Sequence, residues 1–81
     1  MKKSKSYVLD ELLRTVDESG STRLYTRLAR VVLRDARGSL ASEVSFGTTF
    51  GVFFALLLLV HEGIVSSKEA TEKLEEFRNA S

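Results

Sequence analysis

The sequence predicts an all-α protein, a small four-helix bundle completed by dimerisation. Three observations carry that expectation. Apolar residues recur at i, i+3, i+4 and i+7 rather than in alternation. The chain has no Pro, and glycines fall where helices would have to end. A stretch of 17 residues, Val44 to Val60, carries no charge at all. With 81 residues there is one domain at most, expected over residues 6–81 behind a basic N-terminal tail, 1–5, read as disordered.

The first helix is expected from about Ser6 to Ser19. Ser6 is the candidate N-cap, its hydroxyl able to accept a free backbone N–H. Asp10 and Glu11 sit early, where the helix dipole favours negative charge. Leu9, Leu12, Leu13 and Val16 form one apolar face, and Gly20 supplies the stop.

The second is expected from about Thr22 to Arg37, between Ser21 as N-cap and Gly38 as stop. Leu24, Leu28, Val31 and Val32 make its apolar stripe, widened by Tyr25, Ala29 and Ala36. A third segment, Ser39 to Gly63, begins weakly amphipathic. Gly47-Thr48-Thr49 disfavours helix and invites a break or kink. From Phe50 onward, length and the leucine run favour helix over strand. The fourth helix, about Ser67 to Asn79, opens with a capping box, Ser66 with Glu69 three residues on. It shows Ala70, Leu74 and Phe77 as its apolar stripe.

The uncharged run decides the architecture. A helix apolar on all sides must be surrounded. Its three neighbours offer narrow apolar faces, so a second subunit is the expected cover, with Phe46, Phe50, Phe53, Phe54, Leu57 and Val60 as the self-association residues. Lipid is the alternative, which would make a small single-span membrane protein. Seventeen residues rise about 26 Å against a hydrocarbon core of about 30 Å. The flanks are Glu43 and Glu62, without Trp, Tyr or cationic anchors, which argues for burial in protein.

Arg23, Arg27, Arg30, Arg34 and Arg37 recur every three or four residues. They fall within an arc of roughly 80° and make a basic ridge on the second helix. Guanidinium forks suit carboxylate and phosphate. The ridge is therefore the expected binding surface for an acidic protein partner, with a nucleic-acid backbone as the alternative. The blander reading is a solvated face, or one paired with the acidic fourth helix, which carries Glu69, Glu72, Glu75 and Glu76.

No residue pattern specifies a reaction, so the protein is expected not to be an enzyme and to use no cofactor or metal. His61 is the only His, there is no Cys to share a metal, and no nucleophile elbow or phosphate loop is present. His61 is expected to interact with the last carbonyls of its helix. Net charge is +1, which favours neither nucleic acid nor membrane as a whole. No apolar signal segment follows the basic Met1-Lys2-Lys3 start, and with no Cys a cytoplasmic setting is expected.

Overall fold

The computed structural model describes residues 3–40 and 46–80, with the side chain of Phe46 left outside that description. Four helices follow one another: α1 (Lys5–Glu18), α2 (Leu24–Ser39), α3 (Phe46–His61) and α4 (Ser67–Asn79). No strand occurs among the described residues. Each helix packs on its two neighbours, α1 on α2, α2 on α3, α3 on α4, and α4 back on α1, while no Cα atoms of the diagonal pairs come within 8 Å of each other. All four neighbouring pairs are antiparallel. Asp10 reaches Arg37 and Asp17 reaches Arg30 across α1–α2, and Lys5 reaches the carbonyl of Phe77 across α1–α4.

The ends of the helices are set by local chemistry. Ser4, rather than Ser6, caps α1: its hydroxyl accepts from the Tyr7 N–H at 3.1 Å, so the helix already includes Lys5. Ser21 does not occupy the cap position of α2. Arg23 does, and Ser21 instead bonds the Thr26 hydroxyl at 2.9 Å and accepts from the Arg23 N–H. Gly38 does not stop α2, which runs one residue further to Ser39. α3 is helical throughout from Phe46, so no break occurs at Gly47–Thr49. Val44, Ser45 and most of the weakly amphipathic stretch before them lie outside the described residues. Ser66 caps α4 as its capping box predicts, accepting from the Glu69 N–H at 3.1 Å.

The α3–α4 corner depends on Gly63. The Gly63 N–H donates to the Val60 carbonyl and the Ile64 N–H to that of Leu59, a closure that needs a left-handed residue between them. Gly63 supplies it with φ +75°. Gly20 does the same after α1, at φ +65°.

The core is built from Val8, Leu9, Leu12 and Val16 of α1, Ala29, Leu33 and Ala36 of α2, Val52, Ala55, Leu56 and Leu59 of α3, and Phe77 of α4. Here α2 departs from expectation. Its buried face is Thr26, Ala29, Leu33 and Ala36, whereas Leu24, Leu28 and Val31 of the predicted stripe point outward and Val32 is half-buried. Three of these four inward residues, Thr26, Ala29 and Ala36, are small. On the facing helix, a Cβ added at Gly51 would make an ordinary contact with Val32 Cγ1 at 3.6 Å.

A candidate self-association surface beside an arginine ridge

α3 buries one side only. Val52, Ala55, Leu56 and Leu59 point to the core, and the opposite side carries Phe50, Phe53, Phe54 and Leu57 in solvent. These four are between 40% and 57% exposed, which is far from the all-round burial that an uncharged helix requires. Of the other residues expected in self-association, Val60 is half-buried against the core, and Phe46 has no described side chain.

α2 extends the apolar surface. Leu24 is 69% exposed and Val31 is 63% exposed, with Leu28 beside them. The two helices are joined at their edges by Val32 against Gly51, and by the Tyr25 ring tilted onto His61 with centroids 4.8 Å apart. One contiguous apolar face therefore spans α2 and α3. Its α2 half was hidden from sequence reasoning because the leucines and valines of α2 looked like its core. The signal that could have exposed it is the second, smaller-residue stripe of Thr26, Ala29, Leu33 and Ala36 at the same helical spacing. On its α4 side, α3 borders an apolar cleft of about 180 Å³, where Phe53, Leu56 and Val60 face Ala70, Thr71 and Leu74.

The arginine ridge is partly neutralised from within. Arg30 pairs with Asp17 and Arg37 with Asp10, both at 3.0 Å, and Arg23 lies 3.5 Å from Glu62. The complement is thus α1 and the α3 end, not the acidic α4, because α2 and α4 sit diagonally across the bundle. Arg27 and Arg34 are exposed and make no ion pair among the described residues. They border the exposed apolar stripe of α2 on the side away from α3.

Of the acids of α4, Glu76 serves the bundle itself, while Glu75 pairs within the helix with Arg78 at 3.2 Å. Glu76 is held by Lys3 at 3.0 Å and Lys73 at 3.2 Å, and Lys73 and Lys3 both also reach Glu11 of α1. Lys3 beside Glu76 holds that carboxyl below its ordinary range, against an opposing push from burial, with Lys73 assisting. The same pairing with Glu76, and then Glu11, raises the Lys3 ammonium. Lys5 donates to the Phe77 and Ala80 carbonyls at 2.8 and 2.6 Å and so satisfies the C-terminal end of α4.

His61 ends α3 and is exposed, with its ring against Tyr25. Among the described residues no three His, Asp or Glu side chains converge in a way that could hold a metal ion. None of the described helices is long and apolar enough to cross a membrane. Compared with known protein families, curated proteins and solved structures, the chain matches none of them.

Proposed function

We propose that this protein is a non-catalytic assembly module that self-associates through the apolar α2–α3 face and offers Arg27 and Arg34 to an acidic protein partner. One observation carries the reading: exposed Phe, Leu and Val side chains side by side on two adjoining helices. Monomeric proteins rarely leave so large an apolar patch in water, and such patches mark interaction sites. Leu24, Leu28, Val31, Phe50, Phe53, Phe54 and Leu57 together expose several hundred Å², approaching the roughly 800 Å² that each partner of a standard interface contributes.

Sedimentation of the full chain in detergent-free buffer tests this. A dimer or higher assembly at micromolar concentration supports it, and a compact monomer contradicts it. The nucleic-acid alternative is weaker because three of the five ridge arginines already face acids. Two remaining phosphate contacts would give a salt slope of only about −2 in log–log form.

A further inference from the structure

We infer that the occupant of the α2–α3 face is a second copy of this chain, related by a two-fold axis running along the bundle, so that α2 of each protomer lies on α3 of its partner. This rests on the self-association proposed above and adds its geometry. On α2, the outward positions are Leu24, Leu28, Val31 and Asp35, and all four are exposed. On α3 they are Phe50, Phe54, Leu57 and His61, again all exposed. Both sets are spaced four, three and four residues apart, the alternation that lines the seam of a coiled coil.

The two seams also share a level. α2 and α3 are antiparallel, with Val32 beside Gly51 and Tyr25 beside His61. That register sets Leu28 at the height of Leu57 and Val31 at the height of Phe54. A rotation about an axis parallel to the helices preserves height. It therefore seats Leu28 on the partner subunit's Leu57, Val31 on the partner subunit's Phe54, and the reverse, an isologous contact made twice. The two polar members, Asp35 and His61, fall at opposite ends of the seam, where water reaches them.

Charge selects this axis over the other. A two-fold perpendicular to the bundle would lay α2 against α2, and would bring Arg27 and Arg34 of both copies together along one edge. Like charges facing each other across an interface oppose association. The inferred arrangement instead lays each arginine edge along the partner's α3, which is uncharged from Phe46 to Val60. The aliphatic stems of Arg27 and Arg34 then cover apolar surface while their guanidinium heads stay in water, open to the acidic partner.

The chain has no Cys, so single cysteines report contacts cleanly. Leu28→Cys and Leu57→Cys proteins are mixed under mild oxidation, and Val31→Cys with Phe54→Cys serves as a second pair. All four positions are exposed, and helical content by circular dichroism checks that each variant folds. The mixed pairs are expected to form disulfide-linked dimers at least tenfold faster than any single variant alone. Val31→Cys alone cross-linking faster than either mixture overturns the arrangement, as does a wild-type dimer in which neither mixture cross-links. In both cases self-association still stands. A wild-type monomer in sedimentation overturns the self-association itself.

Discussion

At Gly63 and Gly51 the same change, to alanine, has opposite consequences. Gly63 holds φ +75°, where a Cβ is strained, although nothing else crowds it. Gly63→Ala is expected to cost about 1–2 kcal/mol. Gly51 is helical, and its new Cβ would meet Val32 at an ordinary 3.6 Å. Gly51→Ala should stabilise by about 0.5–1 kcal/mol through helix propensity. Thermal unfolding at fixed protein concentration checks both: about 4–8 °C per kcal/mol is expected for a domain of this size, down for Gly63→Ala and up for Gly51→Ala. Ser66→Ala should lower stability by about 1 kcal/mol through the lost cap at the Glu69 N–H. The cap of α4 was legible because Glu69 follows Ser66 at the capping-box spacing of three. The cap of α1 was not, since Ser4 and Ser6 are the same residue type two apart, and only the position of Lys5 against the end of α4 separates them.

At the scale of elements, α1 and α4 are tied by the Lys3–Glu76–Lys73–Glu11 group, and this makes part of the stability titrate. The Glu76 carboxyl is depressed in the folded chain. Its contribution is therefore present above its unfolded value and lost as pH falls through the lower, folded one. Lys3 is raised, so its share is present below the ordinary lysine range and lost as pH rises above it. Glu76→Gln should flatten the acid limb of a stability-against-pH curve without moving the neutral-pH unfolding cooperativity. An unchanged acid limb would show that the group does not hold α4 to α1. The helices were legible in sequence because periodicity and glycine mark them. The inward face of α2 was not. Two apolar stripes share that helix, and periodicity alone does not say that Ala29 and Ala36, rather than Leu28 and Val31, join the core with Val52 and Ala55. The arginine ridge was legible as a pattern, but its pairing with Asp10 and Asp17 needs the order of helices around the bundle.

For the whole molecule, the buried core and the proposed assembly surface lie on opposite sides of α3. Its inner side carries the fold: Leu59→Ala, at a fully buried position, should cost about 2–5 kcal/mol. Set against a total of about 5–15 kcal/mol for a typical domain, that would leave the chain marginal or unfolded. Its outer side is the one we propose for association. Leu57 is 51% exposed, so a charge there meets water in a monomer and an apolar partner in a dimer. Sedimentation equilibrium of the wild-type chain beside Leu57→Glu separates the two states. The wild type is expected as a dimer or larger assembly, and the variant as a monomer of unchanged helical content. A wild-type chain that sediments as a monomer across the micromolar range would contradict the proposed association.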